Sequence, residues 1–210
     1  MAKLVHIESS PRKERSHSIH LAKVFLETYA HTHPGDTIET LDVWSMPLPE
    51  FDGDALEAKY AVMRSATHTP AQATAWERVT ATFRRLEAAD KLLFSVPMWN
   101  FGIPYALKHF IDVVTQPGLA FRVTPDGRYE GLLSGRPAVA IYARGSTYAP
   151  GSPAAAFDLQ KPYLEQWLGF IGITEVHAVS VEPTVGGSPE ERDSARAAAE
   201  AEVRRIAETL

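Results

Sequence analysis

The sequence predicts an α/β fold: a doubly wound, five-stranded parallel sheet in the order 2-1-3-4-5, with helices on both faces. Three observations predict it. Short apolar runs alternate with longer stretches of helical spacing, which is how βαβ units read. Five such runs, each followed by a covering helix, suit that strand order. No repeat, linker or low-complexity segment interrupts the chain, so residues 1–210 are expected to form one domain with insertions.

The elements follow in order. Leu4-Val5-His6-Ile7 reads as a short buried strand, and Ser9 to Ser18 as a polar loop. From Ser18 to Tyr29, apolar residues recur at Ile19, Leu21, Ala22, Val24, Phe25 and Leu26 with helical spacing, and Pro34-Gly35 ends that helix. Thr37 to Val43 alternates imperfectly, as a half-exposed second strand would. Residues 44 to 70 are irregular, with a helix from about Asp54 to Arg64. Pro70 opens another helix that runs to Ala89, since proline is tolerated in a first turn. Lys91 to Val96 is the third strand and Tyr105 to Thr115 a helix. Phe121 to Leu133 contains Pro-Asp-Gly, a hairpin-turn signal. Ala138 to Tyr142 is the fourth strand, Ala154 to Phe170 a helix, and Ile173 to Val181 the fifth strand. A charged, Ala-rich helix from Pro189 to Glu208 closes the chain.

The bulk numbers exclude several classes. With 210 residues, a self-sufficient core is feasible. The net charge of -5 and the lack of a basic stripe argue against nucleic acid as a partner. The chain has no cysteine, so disulfides, Cys-ligated zinc, iron–sulfur clusters and a thiolate nucleophile are ruled out, in keeping with a reducing, cytoplasmic compartment. Neither a signal peptide nor a membrane span is expected.

In such sheets ligands sit beyond the carboxyl ends of the strands, at the switch point in strand order. The loops after strands one, three and four are therefore the places to look. The first, SSPRKERSHS, leads directly into a helix. Ser10, Ser16 and Ser18 offer hydroxyls beside the free N–H groups of a helix start, which together make an anion site for a terminal phosphate. Helix capping by Ser16 or Ser18 is the other reading of the same residues. Arg12, Lys13 and Arg15 either raise the local potential or form a solvated face. Neither a Walker loop nor G-x-G-x-x-G is present.

The second loop, PMWNFGIPY, places Met98, Trp99 and Phe101 in a turn, where apolar residues are costly unless something flat covers them. Asn100 adds an amide, and Gly102 is expected to permit close backbone approach. A hydrophobic plug or subunit contact is the alternative. The third loop, YARGSTY, offers backbone donors at Arg144-Gly145-Ser146, with Gly145 expected at positive φ. A phosphate pocket, an apolar platform and a polar rim match the parts of flavin mononucleotide (FMN).

At these residues the sequence closely resembles the FMN-dependent NADH:quinone oxidoreductases, also called FMN-dependent NADH-azoreductases, of the flavodoxin-like fold. Ser9–Ser18 is similar to that family's phosphate loop. Pro97–Asp112 is similar to its isoalloxazine segment, usually P-M-Y-N-F, with Trp99 replacing the tyrosine. FRVTPDGRYEGLLSG and LGFIGI match its later segments, and the likeness spans nearly the whole chain.

The resemblance implies a homodimer with tightly bound FMN at the interface. Hydride would pass from NADH or NADPH through FMN to quinones or aromatic azo compounds in a ping-pong cycle. It places the phosphate on Ser10, Ser16, His17 and Ser18, and the ring on Pro97, Met98, Trp99, Asn100, Phe101 and Gly102. The third segment, usually S-R-G-G, maps to Ala143, Arg144, Gly145 and Ser146. Phe121 and Val123 map to the substrate pocket, with valine standing where many members carry tyrosine. No residue is assigned as catalytic, because FMN carries the chemistry.

Rival functions leave other traces. A phosphodiesterase-type hydrolase needs a nucleophile or metal, and G-x-S-x-G is absent. His17 with His20, and His31 with His33, are pairs without a nearby carboxylate in sequence, so no metal is expected. A phosphoryl-accepting signalling domain lacks its acidic cluster here. A flavodoxin-like electron carrier is typically smaller and more acidic.

Overall fold

In a computed structural model that describes residues 1–210, β1 (Lys3–Glu8) lies inside the sheet, with Leu4, Val5, His6 and Ile7 all buried. A strand covered on both faces has no solvent side to impose alternation, hence the unbroken apolar run. β1 pairs in parallel with β2 (Thr37–Asp42) and β3 (Lys91–Pro97). β3 continues to β6 (Ala138–Ala143), and β6 to β7 (Val176–Val181). The order β2-β1-β3-β6-β7 is the expected 2-1-3-4-5, because β4 (Phe121–Val123) and β5 (Tyr129–Gly131) form a separate antiparallel hairpin.

Alternate residues of the central strands enter different cores. Val5, Ile7, Leu92, Phe94 and Val96 pack with Phe83 of α3 (Pro70–Glu87), the helix that follows α2 (Gly53–Met63), and with Phe110 of α4 (Tyr105–Val114) and Leu168 of α5 (Lys161–Phe170). Leu4, Leu93, Val139 and Ile141 pack instead with Phe25 of α1 (His17–Thr32) and Ile206 of α6 (Pro189–Thr209). The period of two along a strand sends neighbours to opposite faces.

α4 is held by packing rather than by its own ends. Pro104 at its start offers no side-chain cap, and ten residues form a marginal helix by themselves. Its buried stripe of Ala106, Leu107, Phe110, Ile111 and Val114 holds it instead, at roughly 1.5–3 kcal/mol per large apolar side chain. That burial fixes the exit of the apolar turn between β3 and α4. α6 starts differently, with a capping box in which Ser188 and Glu191 satisfy each other's backbone N–H groups.

Two boundaries differ from expectation. The helix expected from Ala154 begins at Lys161. Residues Ala155–Phe157 make only a 3-10 turn, and Asp158 stops it by accepting bonds from the N–H groups of Gln160 and Lys161. The fifth strand starts at Val176, not Ile173. Gly172 turns the chain at φ 102, and the Ile173 N–H closes back on the Leu168 carbonyl at 2.8 Å. No helix is long and apolar enough to cross a membrane.

Candidate functional site

The three loops singled out by topology meet at one rim of the sheet. Register places Glu8 beside Ser95 and Pro97 beside Ala143. The Ser9 N–H (3.2 Å) and hydroxyl (2.7 Å) both donate to the Ser95 carbonyl. The Met98 N–H donates to the Ala143 carbonyl at 2.8 Å.

In the first loop Ser10, Ser16 and Ser18 are buried. Ser16 caps α1 by accepting from the Ile19 N–H, and its hydroxyl lies 3.1 Å from that of Ser18. Capping and anion binding are thus compatible: the hydroxyl pair sits where the helix start presents unsatisfied N–H groups. Burial lowers the His17 pKa, and Arg12, Arg196 and His20 push it the same way. The rim around the hydroxyls is therefore cationic. Arg196 comes from α6, the charged, Ala-rich helix that closes the chain. Lys13 does not face this rim, because its ammonium is held by Glu8 and Asp42.

The second loop is a tight turn closed at both ends: the Trp99 and Gly102 N–H groups each donate to the other's carbonyl at 2.9 Å. Asn100 (φ 46) and Phe101 (φ 73) occupy its centre, both in the left-handed region. Asparagine tolerates that region, whereas phenylalanine is strained there. Gly102 is not at positive φ, and a Cβ on it would meet nothing closer than the Trp99 carbonyl at 3.9 Å. The left-handed backbone thus falls on the two residues before the glycine, and the close approach expected at Gly102 is not made there. Phe101 stays 46% exposed, with Phe157 at 5.3 Å between ring centroids.

Trp44, two residues beyond β2, escaped the sequence reading. Its Nε1–H donates to the Ser9 carbonyl at 3.0 Å, and its ring packs on Trp99 (5.5 Å) and Tyr105 (5.0 Å). It ties the first loop to the second. Its position at the carboxyl end of a strand was the available signal.

In the third loop the Arg144 side chain turns inward and is 3% exposed. Its Nε donates to Gln160, Nη1 to Glu182, and Nη2 lies 3.0 Å from Asp158 Oδ2 without hydrogen-bond alignment. Gly145 is not at positive φ, contrary to expectation, and its carbonyl accepts from the N–H groups of Val185 and Gly186. Ser146 is exposed and Ala143 buried.

Phe121 and Val123 do not join this rim within one chain. Phe121 packs on Phe170 at the far end of α5 (4.9 Å), and Leu133 bonds the Ile171 carbonyl, so the hairpin sits at the opposite end of the sheet. Beside the apolar turn runs a cleft of ≈ 800 Å³ lined by Trp99, Asn100, Tyr105, Lys108, Leu159 and Tyr163, among others. Lys108 and Asp112 pair there across one turn of α4, as their spacing implies.

The rim suits a ligand with one anionic end and a flat apolar body. It is poorly built for hydrolysis. Ser95 and His6 touch at 2.9 Å, but both are buried within the sheet, out of a substrate's reach. His20 contacts Glu200 across to α6, yet no group of three His, Asp or Glu residues is placed to hold a metal ion.

His6 carries a pH prediction. Burial lowers its pKa from 6.5 to about 4; nearby Asp42 opposes the shift and Lys13 adds to it. Below pH 6.5 the unfolded chain takes up a proton that the folded chain refuses, so stability falls with pH across that window. The loss reaches about 3 kcal/mol near pH 4. Urea midpoints at pH 7 and pH 4.5 should fall further for the native protein than for His6→Gln. Equal drops would contradict this account.

A sequence profile of the flavodoxin-like fold matches residues 2–206. An FMN-dependent NADH:quinone oxidoreductase of Burkholderia lata is 47% identical over 213 aligned positions, covering 100% of both chains. One from Nitratidesulfovibrio vulgaris is 44% identical, covering 99% of each. Among solved structures, an azoreductase from Bacillus anthracis superposes with TM-score 0.92 at 28% identity, covering 100% of both chains. An FMN-dependent NADH-azoreductase of Bacillus anthracis, solved in complex with FMN, gives 0.86 at 26%, covering 99% of this chain and 100% of the other.

Proposed function

The chain belongs to the flavodoxin-like family of FMN-dependent NADH:quinone oxidoreductases, and from that premise we propose how its rim works. It is an oxidoreductase with FMN as cofactor. Ser10, Ser16, His17 and Ser18 hold the phosphate, with Arg12 and Arg196 supplying the surrounding positive charge. Pro97 to Gly102 would carry the ring, and of the Arg144–Ser146 turn the Gly145 and Ser146 N–H groups would serve its polar edge, because the Arg144 N–H is taken by the Val181 carbonyl. The protein's task is to bind and orient, since FMN supplies the transfer of hydride and electrons. With FMN bound, the free backbone donors of these turns would offset negative charge at its polar edge. Phe101 and Trp99 give a flat acceptor an apolar wall and keep water from the ring.

The proposed reaction takes a hydride from NADH or NADPH and a proton from solvent to reduce a quinone to its hydroquinone by two electrons; cleaving an aromatic azo bond to two amines takes two such rounds, four electrons in all. The nicotinamide leaves before the acceptor enters, giving ping-pong kinetics on one flat surface. The observation that carries this reading is the convergence of three loops: buried serines at a helix start, hydrogen-bonded through Ser9–Ser95 to the strand that leads into an apolar turn, which the Met98 N–H ties to the Ala143 carbonyl at the start of the third. The sheet is read as doubly wound, with its switch point at this rim. The test is direct. Purified protein should show a flavin spectrum that bleaches with NADH under anaerobic conditions and recovers with quinone. Colourless, folded protein that takes up no FMN would end the proposal.

The active form is proposed to be a cytoplasmic homodimer. The exposed Phe101, Tyr105, Phe157 and Leu159 flank the cleft, and a second copy there could bring its own Phe121 and Val123 over the ring. Light scattering after size exclusion should give twice the 23.1 kDa chain mass.

Asn100→Ala should lower FMN affinity about tenfold, losing an amide and a residue suited to φ 46. Asn100→Gly keeps the backbone and should lose less. Titration of flavin fluorescence checks both, and equal affinity in all three proteins would remove Asn100 from the site.

A further inference from the structure

Lys13 is a non-glycine residue in left-handed backbone, at φ 49, in the middle of the first loop. Nothing about lysine favours that conformation. Its side chain explains why it persists. The ammonium lies 2.6 Å from Glu8 Oε1 and meets Asp42 Oδ2 as closely. Those carboxylates belong to the last residues of β1 and β2, which stand opposite each other in register. Two like charges side by side repel, and one ammonium between them resolves the repulsion. Asp42 is itself oriented by the Ser45 hydroxyl and the Trp44 N–H. Burial alone would lower the Lys13 pKa, but its bonds to Asp42 and Glu8 hold it above the usual value.

The consequence reaches the anion site through the backbone. The Lys13 carbonyl accepts the Ser16 N–H at 2.9 Å. Ser16 is the cap of α1, and its hydroxyl lies beside that of Ser18. The position of Lys13 therefore sets the position of the hydroxyl pair.

We propose that Lys13, clamped by Glu8 and Asp42, is a positioning residue that holds the Ser16–Ser18 hydroxyl pair in place for a phosphate monoester. This rests on the reading of the rim as an FMN site. Lys13 does not touch the phosphate; it acts through Ser16.

The test compares FMN with riboflavin, which lacks the phosphate, on the full-length protein stripped of flavin and titrated by fluorescence quenching. Lys13→Gln should weaken FMN about tenfold and leave riboflavin within about twofold. The FMN loss should persist in 1 M KCl, where a direct counter-ion effect would be screened to about 3 Å. If Lys13→Gln fails to fold by circular dichroism, Asp42→Asn should show the same phosphate-selective loss. Unchanged FMN affinity in these variants overturns the proposal. So does a loss that vanishes in high salt, or one shared equally by riboflavin. Native protein that binds neither flavin refutes the cofactor reading itself, a separate outcome.

Discussion

Arg144→Ala is expected to cost about 3–5 kcal/mol of folding stability, the range for breaking a buried ion pair by removing one partner. The guanidinium is 3% exposed and stands among Asp158, Glu182 and Gln160. Its removal strands two carboxylates whose side chains are 11% and 12% exposed. Gln160 also donates to the Val96 carbonyl at 3.0 Å, so the same network reaches the end of β3 and the apolar turn beyond it. The rings of Tyr142 and Tyr148 flank the guanidinium at 5.3 and 5.8 Å, contacts that alanine also forfeits. For a chain of this size the loss corresponds to a fall in melting temperature of roughly 10 °C. Adding Asp158→Asn and Glu182→Gln to the variant should recover part of it, because the stranded charges are gone. If Arg144→Ala melts within 2 °C of the native protein, by the ~2–4 °C per kcal/mol scale, the buried network is not what holds this loop.

Gly131→Ala is the second large effect. A Cβ on Gly131 would lie 2.1 Å from the Gly172 nitrogen and 2.2 Å from the Ile171 carbonyl carbon. Both are backbone, so no side chain can swing aside. The hairpin must move off the α5–β7 turn, breaking the Leu133 N–H bond to the Ile171 carbonyl and loosening Phe121 from Phe170. The expected cost is about 3 kcal/mol, the upper end for overpacking. Because the hairpin is proposed to serve the partner copy's ring, quinone turnover should fall more than FMN content. Thermal melting and flavin absorbance measured on one preparation would separate the two, and a native melting curve would show that the approach is looser than it looks.

Much of the fold was legible in the sequence, for a physical reason. Strands such as Leu92-Leu93-Phe94 and helices such as α1 carry their period in adjacent residues, so burial on one or both faces is written locally. Boundaries were less legible where one hydrogen-bonding side chain decides them. Asp158 stops the turn before α5, although Ala154 to Phe157 favours helix.

The candidate site divides along the same line. Its location beyond β1, β3 and β6, the serines before α1 and the apolar turn before α4 were all determined by the sequence itself, because residue type and spacing record them. Only the tertiary structure decided where the polar partners lie. Lys13 turns to Asp42, 29 residues away, and Arg144 to Glu182, 38 residues away, and Trp44 joins Ser9 across 35. The left-handed backbone fell on Asn100 and Phe101 and spared Gly102, because α4's burial and the closed turn dictate where the chain must reverse. Apolar periodicity is a property of neighbours in sequence, whereas an ion pair or a forced backbone angle depends on what folding brings alongside.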